Sequence, residues 1–220
     1  LNKTYQNKRI YCDARVDGQP SPVTSRTSTI NVWYKPSAPS VKPVSMFPWL
    51  ENQTGILRCV TEDRGNPAAT VKWTSPRGIT DNDENLVISN LSSQEHGKAV
   101  SCQLQNNFTI LKNINIVSPY ETLDVEYTPN IDLVPADNPI KVKETWPLTV
   151  TCTGTGHPDP KVEWLGRNPP NNVLHIPDVR RNIAGTYICR ASSTSTNFGN
   201  VALIREKSAV IIIQYAPNVL

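Results

Sequence analysis

Short stretches of this chain alternate strictly between apolar and polar positions. Leu148, Val150 and Cys152 fall on one side of an extended backbone while Thr149 and Thr151 fall on the other, the period-two signature of a strand with one buried face. Val71 and Trp73 flank Lys72, Val162 and Trp164 flank Glu163, and Tyr187, Cys189 and Ala191 alternate with Ile188 and Arg190. Turn formers lie between these stretches, at Asp17-Gly18, at Pro76-Arg77-Gly78 and at Pro169-Pro170-Asn171-Asn172, where glycine and proline supply the backbone angles a reversal needs. No segment holds a convincing helical period. Short strands at regular spacing predict an all-β sandwich.

The pattern also repeats. Val32-Trp33-Tyr34-Lys35-Pro36, Val125-Glu126-Tyr127-Thr128-Pro129 and Ile213-Gln214-Tyr215-Ala216-Pro217 share a Tyr-x-Pro ending, with tyrosines 93 and 88 residues apart. Cys12, Cys102 and Cys189 recur at intervals of 90 and 87 residues. Gly65-Asn66-Pro67 precedes Trp73 as Gly156-His157-Pro158 precedes Trp164, and Leu86, Ile88 and Leu91 return as Leu174, Ile176 and Val179. A self-similar period of this length marks a chain of like structural units. Their boundaries fall near the Tyr-x-Pro segments, where proline ends a strand and stiffens the connection.

Composition narrows the class. The chain has 220 residues, 38% of them hydrophobic and 19% charged, with nineteen prolines; the balance suits a folded soluble domain and the prolines disfavour long helices. A net charge of +3 with no run of Lys and Arg gives no nucleic-acid-binding surface. The longest aliphatic run, 209–213, falls far short of the roughly 20 residues of a membrane-spanning helix. The five cysteines, Cys12, Cys59, Cys102, Cys152 and Cys189, lack the close pairs of a zinc or redox motif. Four can pair and one is left over.

These residues resemble the immunoglobulin superfamily, whose mark is a Cys, a Trp about a dozen residues on, and a second Cys near the end of the unit. The run occurs as Cys59-Trp73-Cys102 and again as Cys152-Trp164-Cys189. The resemblance covers essentially the whole chain. It implies disulfides Cys59–Cys102 and Cys152–Cys189, each worth roughly 4 kcal/mol by loop closure, with Trp73 and Trp164 packed against them. Gly185-Thr186-Tyr187-Ile188-Cys189 matches the family's Gly-x-Tyr-x-Cys run, although Ile183 replaces the acidic residue two before the glycine. In the earlier unit Val100 stands where the corner tyrosine belongs, a form similar to nephrin-like and nectin-like adhesion molecules. Leu86 follows Trp73 by 13 positions and Leu174 follows Trp164 by ten. That leaves no room for the extra hairpin of antibody variable domains and implies compact I-set or C2-type units.

The resemblance divides the chain into tandem immunoglobulin-like β-sandwiches in an elongated rod. Residues 1–36 are expected to be the last part of a truncated domain, with a cysteine-bearing strand at 10–14 and a final strand over 29–34. Full domains follow at 37–128 and 129–217, and 218–220 begin a further segment. Cys12 is then unpaired because its partner would lie upstream, the alternative being a free or intermolecular thiol.

Four sequons, at Asn2, Asn52, Asn90 and Asn107, fit a glycosylated extracellular chain. The 129–217 unit has none, which leaves it the more accessible contact face. Asp81-Asn82-Asp83-Glu84-Asn85 lacks the ligand spacing and glycine of a calcium loop and is expected to be a solvated turn. Leu123-Asp124-Val125 looks like a short integrin-binding tripeptide, but its place in a strand commits its side chains to the sheet. The polar run 192–199 carries Phe198 in a long segment before the last strand, so Thr196, Asn197, Phe198 and Asn200 form a candidate binding loop. His96, His157 and His175 fall in different segments with no triad or metal spacing, and neither catalysis, a metal nor another cofactor is expected.

The expected function is that of an extracellular cell-adhesion or cell-recognition ectodomain, cell-surface or secreted. It would bind a protein partner, either itself or a related immunoglobulin-family receptor. The alternative is an innate immune receptor or secreted defence lectin in which these domains form a stalk, its ligand a glycan or pathogen. A purely structural matrix spacer is a third possibility. No nucleic acid and no membrane insertion by this segment are expected.

Overall fold

A computed structural model describes residues 2–18, 20–81, 83–167, 171–195 and 197–215. Gln19 of the first turn, Asn82, the Pro169-Pro170 turn, Thr196, and 216–220 with the third Tyr-x-Pro ending and the expected 218–220 segment lie outside the described residues. The fold is all-β, and the described residues include one α-helical turn, at Asn107–Leu111. Asn106 caps that turn by accepting the Thr109 N–H at 3.0 Å, while Thr109 Oγ1 accepts the Asn106 N–H at 2.9 Å, a reciprocal capping box.

The contacts divide the chain into two compact units that interleave in sequence. The first comprises the described residues of 1–45, 56–87 and 98–122, and the second those of 46–55, 88–97 and 123–220. One sheet of three strands runs in the order Asn85–Ile88, Gly55–Val60, Ser40–Pro43. Facing it, the strands Ile116–Val117, Ala99–Gln105, Thr70–Ser75 and Gly78–Asp81 form a second sheet, which Glu121–Thr122 joins by pairing with Ala99–Gln105. Among the described residues, Gly78–Asp81 is the one strand added beyond Thr70–Ser75. The short spacing from Trp73 to Leu86 has no length for more.

A Cys59–Cys102 bridge with Cα atoms 6.1 Å apart joins these sheets. Trp73 sits opposite Cys102 in register, is 1% exposed, and donates its Nε1–H to the Asp83 carbonyl at 3.0 Å. Val100, standing where a tyrosine would, is wholly buried; a small β-branched side chain fills that position without a polar group to satisfy.

Ahead of this sandwich the described residues form two short antiparallel ladders, Arg9–Ile10 with Ser28–Thr29 and Asp13–Ala14 with Val23–Thr24, so the cysteine-bearing strand expected over 10–14 is broken at Tyr11 and Cys12. The strand expected over 29–34 shrinks to Ser28–Thr29, followed by an isolated bridge from Tyr34 to Asn66. These strands are exposed on every residue, and without a facing sheet there is little apolar burial to extend the pairing. Cys12 lies there as an exposed free thiol.

The second unit is a fuller sandwich. One sheet runs Val173–Ile176, Leu148–His157, Val125–Val134, Trp49–Leu50, the last pair parallel. The other runs Ile140–Lys143, Ala202–Gln214, Gly185–Thr194, Lys161–Trp164. The inward residues of both, including Leu133, Val142, Val150, Leu174 and Ile211, close over a Cys152–Cys189 bridge with Cα atoms 6.5 Å apart. Trp164 lies opposite Cys189 in register. Tyr187 donates its phenol O–H to the backbone carbonyl of Ile183 at 2.8 Å, so the corner forms through main chain and the acidic side chain missing at 183 is not needed for it.

Trp49 packs face-down on Gly55. A Cβ built on Gly55 would stand 2.7 Å from the indole, inside van der Waals contact. Gly55→Ala is therefore expected to cost about 1–3 kcal/mol through overpacking, read as a lowered urea midpoint with unchanged slope.

Candidate functional site

The Gly185–Thr194 and Ala202–Gln214 strands stay in register from Gly185↔Ile211 to Thr194↔Ala202. The segment expected to form a long loop is therefore mostly hairpin, and among the described residues Ser195 and 197–201 lie between the paired strands. Ser195 N–H donates to the Val201 carbonyl at 2.9 Å and Phe198 N–H to Ser195 Oγ at 3.3 Å. Asn197 Nδ2 donates to the Phe47 carbonyl at 2.8 Å, which ties the tip down. Phe198 is half-buried rather than projecting, whereas Asn200 is exposed in a left-handed conformation with φ of 58°. Thr196 lies outside the described residues. The predicted loop thus offers a small, internally tethered tip.

A larger surface lies beside it, on the outward face of the same sheet. Alternation turns Ile188, Arg190 and Ser192 of one strand outward together with Ile204, Glu206, Ser208 and Ile212 of its neighbour. Glu163, Arg190 and Glu206 are consecutive cross-strand partners. Arg190 holds Glu206 with Nε and Nη2 at 2.8 and 2.6 Å from Oε1, and Lys161 meets Glu163 at 2.8 Å. Ile188, Ile204 and Ile212 are 38%, 49% and 43% exposed around this charged row. Such exposed pairs add little stability, but a fixed row of charges among aliphatic side chains can discriminate between partners. Sequence alternation marks which residues face outward; nothing in it marks this face as the one left uncovered.

The sequons sit at the surface. Asn2, Asn52, Asn90 and Asn107 are all exposed, and Asn52 and Asn90 take left-handed turns with φ of 67° and 52°. Glu84 of the acidic turn pairs with Arg64. Leu123 and Val125 of the Leu-Asp-Val tripeptide are buried, but the strand expected to hold all three residues begins only at Val125, so Leu123 and Asp124 precede it.

One grouping was not foreseen. His96 from the turn at 93–97, Asp124 just ahead of the Val125–Val134 strand, and His157 at the end of the Leu148–His157 strand meet within the second unit. Asp124 Oδ1 lies 2.8 Å from His157 Nε2 and 3.5 Å from His96 Nδ1. The two imidazoles stack with centroids 4.2 Å apart, and Tyr127 packs edge-on against His96. The Val125 N–H donates to His96 Nδ1 at 3.2 Å, so that nitrogen carries a lone pair. Burial, and then the adjacent His157 ring, hold the His96 pKa below its usual value, partly offset by Asp124. His175 stands apart, its Nδ1 2.9 Å from Thr149 Oγ1. The signal available was a column of the repeat, since His157 replaces Asn66, but nothing local joins it to His96.

Residues 128–193 match the family model described as immunoglobulin domain. Mouse intercellular adhesion molecule 5 is 27% identical over 99% of this chain, which corresponds to 22% of that protein. Mouse cell surface glycoprotein MUC18 is 26% identical over 87% of this chain and 31% of its own length. The chain thus spans about a fifth to a third of these cell-surface relatives. Among solved structures, the two-domain DIP-gamma IG1+IG2 fragment superposes with a TM-score of 0.51 at 18% identity, over 81% of this chain and 99% of that one. That likeness concerns the fold.

Proposed function

Starting from a chain of tandem immunoglobulin-like sandwiches, similar along nearly its whole length to cell-surface adhesion proteins, we propose that it is a segment of an extracellular adhesion or recognition protein. It binds a protein partner non-covalently, a second copy or a related immunoglobulin-family chain. The observation that carries this reading is the outward face around Ile188, Arg190, Ile204 and Glu206, which is aliphatic, charged and free of sequons. N-linked glycans on Asn2, Asn52, Asn90 and Asn107 accompany it, supported by the exposure of all four side chains. The work is binding, with neither catalysis nor a catalytic cofactor. The domain limits 37–128 and 129–217 remain part of this proposal, supported by one Cys–Trp–Cys set and one bridge in each.

Sedimentation equilibrium of the chain tests self-recognition. Ile204→Asp and Arg190→Glu are each expected to weaken association about tenfold or more, the scale of a central contact residue, while Asn200→Ala at the tip changes it little. A strict monomer at all concentrations removes the homophilic form. Equal association by both face variants places the contact elsewhere.

A further inference from the structure

We propose that His96, Asp124 and His157 form a binding site for a zinc ion. Two imidazoles and one carboxylate are a borderline donor set, which suits Zn²⁺ and disfavours Ca²⁺ or Mg²⁺, whose shells are built from oxygen. Bonds of about 2.0–2.1 Å at tetrahedral angles put neighbouring donors about 3.3 Å apart. The donor atoms here lie within 4.8 Å of one another, two of their separations being 2.8 and 3.5 Å. Small side-chain shifts bring those two separations to the coordinated distance, and the stacked rings turn apart so that both in-plane lone pairs face one ion.

A second observation is the state of the carboxylate. Asp124 Oδ1 is buried and accepts no aligned hydrogen bond, although His157 Nε2 is only 2.8 Å away. A buried carboxylate oxygen flanked by two imidazoles without an aligned hydrogen bond is under-satisfied, and a cation between it and the two rings satisfies it. Among the described residues, the charged or titratable side chains recorded against Asp124 are the two histidines, so no Lys or Arg already occupies that place. His96 presents an unprotonated Nδ1 held toward the Asp124–Val125 main chain; the metal takes that lone pair in place of the Val125 amide. The half-exposed rings leave the fourth position open to solvent. The ion fastens the 93–97 turn to the starts and ends of two neighbouring strands, three segments that no disulfide joins.

The test uses Zn²⁺ alone on the chain carrying Cys12→Ser, which removes the one exposed thiol. Calorimetry is expected to show one saturable site per chain, and thermal melting an upward shift that a chelator reverses, because a ligand that binds only the native state stabilises it. His96→Ala, His157→Ala and the near-isosteric Asp124→Asn should each weaken binding at least about tenfold, the loss that even outer-shell changes bring. His175→Ala should leave it unchanged. Circular dichroism confirms that each variant is folded, and Asp124→Asn keeps the test intact should an alanine variant fail to fold. Absence of saturable binding, binding unaffected by all three site variants, or a melting shift with Ca²⁺ but not Zn²⁺ overturns the proposal.

Discussion

Cutting Trp164 back to alanine is expected to lower the unfolding free energy of the second unit by about 3–5 kcal/mol, a large share of what an ordinary domain holds. The indole is 2% exposed and belongs to the cluster that surrounds the Cys152–Cys189 bridge. Its Nε1–H donates to the Asn172 carbonyl at 3.0 Å, but that carbonyl also accepts the Cys152 N–H at 2.8 Å. Truncation therefore leaves no orphaned acceptor, and the cost is almost wholly lost packing and the cavity left behind. Trp164→Phe, which keeps an aromatic ring, should cost clearly less. Urea unfolding followed by circular dichroism reads both. A loss below about 1 kcal/mol for the alanine variant, the level of ordinary surface-like substitutions, would show that the core is not centred on this ring.

Removing the neighbouring bridge, as Cys152→Ala with Cys189→Ala, is expected to cost about 2–5 kcal/mol. The bridge closes a sequence separation of 37 residues, and cutting it restores the freedom of that loop mainly to the unfolded chain. The two losses should not add. Trp164 stands opposite Cys189 in register, so the indole and the sulfurs share one cavity, and residues in contact show coupling energies of about 0.5–3 kcal/mol. The triple variant should accordingly fall short of the sum of the separate effects. Additivity within a few tenths of a kcal/mol would mean that ring and bridge act independently.

What the sequence shows of this molecule follows the range of the forces involved. Period-two alternation at 148–152 and 187–191 is local, and it names the buried faces that the strands have. The Cys–Trp–Cys spacing carries the two bridges because the family resemblance supplies the pairing. The hairpin tip was harder: small polar residues at 192–194 suggested a loop, yet cross-strand hydrogen bonds hold them in a ladder whose partner begins only at Ala202. Phe198 is half-buried because the tip folds back on itself, a tertiary event. The histidine grouping was least visible. His96, Asp124 and His157 come from three segments, and only the closure of the sheet and the path of the 93–97 turn set them side by side.

The strand order of the Arg190 sheet also governs how copies can accumulate. Its two outermost strands, Ile140–Lys143 and Lys161–Trp164, are four residues long. Each follows closely on prolines, Pro139 in one case and Pro158 and Pro160 in the other, and each carries lysine, at Lys141 and Lys143 and at Lys161. Short, charged, proline-preceded borders are poor templates for an incoming strand. Hydrogen-bonded growth from sheet to sheet, the route to fibres, is thereby disfavoured at both borders of this sheet. Any association through this sheet would then use side chains on its open face instead of its borders.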